Sequence, residues 1–96
     1  MSRLSETLRS RSESLRGEGN TKLYLYRSLS AKASSDKDRA FEARRNGDFG
    51  LADHLDLQSM RSESQANEAK AEATRLLAQA ADFLKQADAA ESEDLK

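Results

Sequence analysis

The chain has 96 residues and a formal charge of -1, and it contains neither proline nor cysteine. Valine and isoleucine are also absent, so the apolar residues are mostly alanine and leucine. Strands are built largely from β-branched and aromatic side chains, and this composition therefore excludes a β-sheet of any size. The lack of cysteine excludes disulfides, thiolate nucleophiles and cysteine-based zinc sites. We predict an all-α protein that forms a single helical domain over residues 1–96.

The first predicted element is a short N-terminal helix over residues 2–16. Its leucines Leu4, Leu8 and Leu15 are spaced by four and seven residues, which places them on one helical face. Residues 17–20 contain two glycines and an asparagine, and this composition predicts a linker. The chain would then begin a second helix beyond that linker.

The second predicted helix is the first arm of a hairpin over residues 21–90. Its apolar residues recur at three-, four- and seven-residue spacings from Leu23 to Ala43. Asn46 and Gly47 end it, and the following Asp48 is well placed to cap the next helix. Two helical patterns joined by so short a turn predict a helical hairpin.

The third predicted helix covers residues 49–90 and is followed by an acidic tail over residues 91–96. A heptad repeat places twelve successive uncharged positions on one seam, although the segment is rich in charged residues. Such a seam indicates coiled-coil-like packing along a neighbouring helix. The seam residues are Ala52, Leu55, Ser59, Ser62, Ala66, Ala69, Ala73, Leu76, Ala80, Phe83, Ala87 and Ala90.

The two long predicted helices differ in length, about 36 Å against about 60 Å at 1.5 Å per residue. Antiparallel pairing about the turn sets Ala43 near Ala52 and Tyr26 near Ala69, after which residues 76–90 overhang. We expect the N-terminal helix to cover this overhang or to leave it for a partner. The predicted surface for self-association or partner binding consists of Leu4, Leu8, Leu15, Leu76, Leu77, Ala80, Phe83 and Leu84.

The segment around the turn resembles the helix, glycine-aspartate turn and helix of tetratricopeptide-like hairpins. The resemblance rests on Gly47, Asp48 and the small or apolar residues beside them, and it covers about 16 residues, a fraction of the repeat unit. The aromatic and proline positions of that repeat are missing, and no 34-residue period follows. The resemblance implies a helical hairpin and carries no functional residue to this chain.

The sequence offers little for catalysis. His54 is the only histidine, and neither Asp53 nor Asp56 lies three or four residues from it, as a helical metal site requires. Carboxylate pairs such as Glu68 and Glu72 need a cleft that a thin hairpin does not provide. We predict a chain that is not an enzyme, with no catalytic residues, no cofactor and no metal site.

The charges are distributed unevenly along the chain. Residues 1–27 carry a net charge of about +3 and residues 82–96 about -3, counting side chains alone. The Arg-rich N-terminal segment leaves nucleic-acid binding as an alternative, although Glu6 and Glu13 interrupt it. The segment is also rich in serine. A further alternative is therefore that the chain is a component or substrate of a bacterial secretion system.

The favoured hypothesis is a protein-protein interaction module in the cytoplasm, which acts as a structural subunit, an adaptor or a small chaperone. The expected partner is a second copy of the chain, in a dimer or higher oligomer, or a helix of another protein. Binding to nucleic acid is less expected because the basic excess is small. No apolar run approaches the roughly 20 residues of a membrane span, so no membrane partner is expected.

Overall fold

A computed structural model describes residues 3–94 and contains two long helices within that range. Helix α1 spans Arg3–Arg45 and helix α2 spans Phe49–Asp94. Residues 3–94 contain no strand, which confirms the all-α prediction. Residue 2 of the predicted N-terminal helix and residues 95–96 of the predicted tail lie outside the described range.

The turn between the helices is built as the sequence predicts. Gly47 adopts a positive φ of 81°, the left-handed conformation that glycine accepts without a steric penalty. The amide of Asp48 donates to the carbonyl of Ala43 at 2.8 Å, and the amide of Gly47 donates to the carbonyl of Arg44 at 3.1 Å. This pair of hydrogen bonds is a Schellman motif. Asp48 then caps α2 by accepting a hydrogen bond from the amide of Leu51 at 3.2 Å.

The separate N-terminal helix and the linker at residues 17–20 are not found. Helix α1 passes through these residues without a break, and Gly19 lies buried against α2. The glycine therefore marks a close approach between two helices rather than the end of one. Of the two expectations for residues 76–90, the structure shows the first: the early part of α1 covers them, as the bonds from Ser12 to Ala80 and from Arg9 to Asp88 show. Helix α2 extends to Asp94, so residues 91–94 of the predicted tail are helical.

The chain divides into two compact units, and each contains one segment of either helix. The turn unit consists of residues 23–70 and includes the turn. The terminal unit consists of the described parts of residues 1–22 and 71–96. In each unit the segment of α1 runs antiparallel to the segment of α2.

In the turn unit, α1 and α2 meet mainly through small side chains. All six predicted seam residues from Ala52 to Ala69 are buried, and the buried residues of the α1 segment are Ala33, Asp36, Ala40 and Ala43. The hydroxyl of Ser59 donates to the carbonyl of Ala33 at 2.9 Å and so satisfies its own buried oxygen. Small side chains and this short hydrogen bond allow the two backbones to lie close together.

The terminal unit repeats the same arrangement. Four of its six predicted seam residues are buried, and Phe83 and Ala90 are half-buried. The buried hydroxyl of Ser12 donates to the carbonyl of Ala80 at 2.7 Å, as Ser59 does in the turn unit. The inward-facing residues of α1 recur at steps of three and four residues. They are the buried Ser5, Leu8, Ser12 and Gly19, together with the half-buried Leu15. Helix α1 therefore carries a heptad seam of its own.

Candidate interaction surface

The predicted surface residues all lie in the terminal unit, but they do not form one exposed patch. Leu8, Leu76 and Ala80 are buried between α1 and α2. Four of the others are half-buried at the edges of the seam, namely Leu15, Leu77, Phe83 and Leu84. Leu4 lies away from the seam with 60% of its surface exposed, because Ser5 takes the seam position beside it.

A shallow groove of about 440 Å³ runs along one side of the terminal unit. It has two of the predicted residues, Leu15 and Phe83, among its apolar groups. The guanidinium of Arg11 lies over the ring of Phe83, 5.5 Å from its centroid, in a cation-π contact. The residues lining the groove are Arg11, Ser14, Leu15, Gln79, Asp82 and Phe83.

The contact between α1 and α2 consists mainly of small side chains. The side chains of Ser5 and Ser59 are fully buried, and Leu55 is one of only three buried leucines among the described residues. Other large apolar side chains lie outside, and Tyr24 and Met60 are 73% and 64% exposed. Large apolar residues dominate the interiors of most folded proteins. The contact between α1 and α2 therefore leaves several large apolar side chains uncovered.

Most of these exposed apolar residues lie in the turn unit, where the sequence analysis placed no interaction surface. Heptad spacing alone could have identified them, because they occupy outward positions on helices whose seam is already filled. The exposed large apolar residues of the turn unit are Tyr24, Leu25, Phe41, Phe49, Leu51, Leu57 and Met60.

Ion pairs connect α1 to α2 beside the seam of each unit. In the terminal unit, Arg9 bonds both Asp88 and Glu91 at 2.8 Å, and Lys22 lies 2.9 Å from Glu72. The hydrogen bond from Arg9 lowers the pKa of the Glu91 carboxyl, with a further contribution from Ser5. The ammonium of Lys22 lowers the pKa of Glu72 in the same way. These contacts favour the antiparallel alignment of the two segments.

The turn unit has equivalent ion pairs. Lys37 bonds Glu63 at 2.8 Å, which raises the pKa of the lysine. Arg44 bonds both Asp56 and Asp53, and the hydrogen bond to Asp56 is the main cause of a raised pKa for the guanidinium. Arg44 is therefore neutralised across the seam.

The only histidine of the chain lies at the surface. His54 is exposed, and its ring lies 3.1 Å from the side-chain amide of Gln58, one helical turn away. No group of three or more His, Cys, Asp or Glu side chains within residues 3–94 is placed to hold a metal ion. One buried carboxyl stands out, that of Asp36, whose Oδ2 has no hydrogen-bond partner among these residues.

Comparisons with known proteins add no family to these observations. No protein-family model, curated protein or solved structure matches the chain. None of the helices in residues 3–94 is both long and apolar enough to cross a membrane.

Proposed function

We propose that this protein is a non-enzymatic protein-protein interaction module that works by helix packing and self-association. One observation carries the proposal: the contact between α1 and α2 consists mainly of alanine and serine, and eight large apolar side chains of the described residues remain exposed. A surface with many large apolar side chains is typical of proteins that associate.

The energetics of the seam support the same proposal. Fixing the backbone of one residue costs about 1 to 2 kcal/mol of conformational entropy, and burial returns about 25 cal/mol per Å² of apolar surface. A layer of alanine and serine buries little such surface. Two helices of 43 and 46 residues therefore gain substantially if a further helical surface covers their outer side chains.

Nucleic-acid binding and a role in secretion are the alternatives. Phosphate binding requires cationic side chains that are free to meet the backbone of a nucleic acid. Arg9 and Arg44 each bond two carboxylates of α2 instead. This pairing removes two arginines from phosphate binding, although Arg11 and Arg16 form no salt bridge with another described residue. The interaction module is favoured over a nucleic-acid binder because the basic excess is small, and no contact among the described residues favours a secretion role.

The molar mass in solution tests the proposal directly. The chain has a mass of 10.7 kDa, and we expect light scattering to give at least twice that value at micromolar concentration. Circular dichroism on the same sample should show a cooperative melting transition whose midpoint rises with protein concentration. A cooperatively folded species of 10.7 kDa at every concentration would reject self-association.

A further inference from the structure

We propose that the groove of the terminal unit is the contact between two copies of this chain, related by a two-fold axis that runs along the groove. This inference rests on the proposed self-association and names one surface for it, and the exposed apolar residues of the turn unit are not among the groove residues. The groove has an apolar floor, formed by Leu15 and Phe83, between a wall from α1 and a wall from α2. The charges on those walls favour a second copy as the occupant.

The walls carry four charged side chains, and three of them form no salt bridge within the described residues. Arg11 lies on the α1 wall and Asp82 on the α2 wall. One heptad further along α1 on the same face is Glu18, and one heptad before Asp82 on α2 is Arg75. All four are exposed. Arg11, Glu18 and Asp82 form no salt bridge with another described residue, although Gln86 donates a hydrogen bond to Asp82 at 3.3 Å. Arg75 contributes to the lowered pKa of Glu72.

The register of the terminal unit sets these residues level with one another. Ser12 bonds the carbonyl of Ala80, which places Arg11 level with the turn of α2 that contains Asp82. Gly19 lies closest to Leu77 and the carbonyl of Ala73, which places Glu18 level with Arg75. At the level of Arg11 the α1 wall is positive and the α2 wall is negative. At the level of Glu18 the signs of the two walls are exchanged.

A rotation of 180° about an axis along the groove leaves each residue at the same level. It brings the α1 wall of one copy opposite the α2 wall of the second copy. Arg11 of one copy then lies opposite Asp82 of the second copy, and Glu18 lies opposite Arg75. Each pair has opposite signs and occurs twice, as an isologous contact requires. Every helix also gains an antiparallel neighbour, which is the arrangement of an up-down four-helix bundle.

The uncharged residues of the walls follow the same relation. Ser14 of one copy lies opposite Gln79 of the second copy, and both can donate and accept hydrogen bonds. The half-buried Phe83 and Leu15 of each copy would be covered by the floor of the other. The contact is therefore complementary in its charged, polar and apolar parts.

The other side of the seam is less suited to a second copy. Arg9 lies about 200° around α1 from Arg11, and its guanidinium is engaged by Asp88 and Glu91 of the same chain. A charge that is already paired contributes little to association. The charges without a salt bridge therefore favour the groove side for a contact between two copies.

Charge reversal in the full chain tests the reciprocal pairs. Arg11→Glu places two carboxylates opposite each other in each pair, and Asp82→Lys places two cations there. We expect each variant alone to raise the Kd of self-association roughly tenfold or more, since attraction becomes repulsion at two positions.

An equimolar mixture of the two variants should recover an affinity within a few-fold of the unchanged chain. In a dimer that contains one copy of each variant, one pair keeps the original arginine and aspartate. The other pair joins the introduced glutamate of one copy to the introduced lysine of the other. Both pairs therefore have opposite signs again, and attraction is restored at both positions.

Two further samples control the experiment. Arg16→Glu changes the net charge as Arg11→Glu does but lies on the other side of the seam, and we expect it to associate as the unchanged chain does. Circular dichroism on each variant verifies that the helices are retained. Sedimentation velocity of single variants and of the mixture provides the measurement.

The outcomes separate this inference from the proposed function. Weakening by each reversal with recovery in the mixture supports the two-fold contact. Self-association of the unchanged chain, with Arg11→Glu and Asp82→Lys behaving like Arg16→Glu, overturns the contact and leaves the interaction module intact. A chain that stays monomeric at all concentrations overturns both the two-fold contact and the proposed self-association.

Discussion

Gly19 of α1 lies so close to Leu77 of α2 that a methyl group has no room between them. A Cβ atom added at Gly19 would be 2.8 Å from both Cγ and Cδ2 of Leu77 and 3.5 Å from the carbonyl oxygen of Ala73. Carbon atoms in packed interiors approach to about 3.5 to 4.0 Å. The glycine is therefore the feature that lets α1 and α2 approach closely at this level.

The first prediction follows from that contact. Alanine is favoured over glycine in a helix by about 1 kcal/mol, but the Gly19→Ala methyl group must displace Leu77. We expect a net loss of about 1 kcal/mol in the free energy of unfolding. Gly17→Ala is the matched control, since nothing lies within 4 Å of its added Cβ, and it should stabilise the chain.

Urea denaturation of both variants measures the difference. Replacing Leu77 by alanine in the Gly19→Ala background should reduce the penalty, because the atoms that clash are then removed. Equal stabilisation by Gly17→Ala and Gly19→Ala would show that the close approach is not maintained in solution.

The second prediction concerns the buried hydroxyl of Ser59. It donates to the carbonyl of Ala33 across the seam, and only 1% of the residue is exposed. Ser59→Ala should lower the free energy of unfolding by about 1 kcal/mol, the net value of a typical hydrogen bond. Ser64→Ala, on the exposed side of the same helix, should be neutral or slightly stabilising. Matching melting temperatures for the two variants would contradict a stabilising role for the Ser59 bond.

These contacts explain which parts of the fold the sequence could predict. The uncharged seam of α2 and the turn at Gly47 follow from periodicity and from residue types with a single strong preference. The seam of α1 was harder to identify because it includes Ser5, Ser12 and Gly19. Polar residues and glycines ordinarily indicate solvent or a break. Here the hydroxyl of Ser12 bonds a carbonyl of the facing helix, and the glycine accommodates a leucine, so both lie inside.

The candidate surface shows the same limit. The heptad repeat of α2 places Leu76 on the seam, where it is buried. The leucine spacing on α1 indicates both Leu8, which is buried, and Leu4, which is exposed. The groove charges, Arg11 and Asp82, could be related to each other only once the register was known. Register depends on the continuity of α1 through residues 17–20, which the glycines obscured.

The third prediction concerns Phe83 at the edge of the groove. Its ring is half-buried and lies under the guanidinium of Arg11, so Phe83→Ala removes both packing and the cation-π contact. We expect the free energy of unfolding to fall by about 1 to 3 kcal/mol, less than for a fully buried phenylalanine. Phe41→Ala is the control, because Phe41 is 62% exposed and should change stability little. Thermal melts at one protein concentration make the comparison, and an unchanged Phe83→Ala melt would exclude packing of the ring.

The fourth prediction is a loss of stability in acid. The pKa of Glu91 is lowered in the folded chain by its hydrogen bond with Arg9, so the folded state binds its proton less readily than the unfolded state. The resulting stabilisation is present above the ordinary carboxyl pKa of 4.5 and is lost as the pH falls through the lower folded value. Glu91→Gln should therefore reduce the dependence of the melting temperature on pH in this window.

Glu13→Gln provides the control for that experiment, since Glu13 is exposed and no described residue forms an ion pair with it. Melting temperatures recorded from about pH 6 down to about pH 3 should converge for the unchanged chain and Glu91→Gln. Parallel curves over the whole range would mean that the pair with Arg9 does not contribute to folding.

The last prediction concerns Asp36, which occupies a seam position of α1 with only 4% of its surface exposed. One carboxyl oxygen lies 3.8 Å from the guanidinium of Arg39, and the other has no hydrogen-bond partner among the described residues. Leaving a buried polar atom without a partner costs about 1 to 3 kcal/mol. Asp36→Ala removes that cost and continues the alanine pattern of the layers at Ala33 and Ala40, so we expect it to raise the free energy of unfolding by about 1 kcal/mol or more.

Asp38→Ala, one position beyond Lys37 and exposed, controls for the change in charge and helix propensity. Chemical denaturation of both variants decides the matter: if Asp36→Ala is less stable than Asp38→Ala, the buried carboxyl makes a favourable contact that outweighs its desolvation.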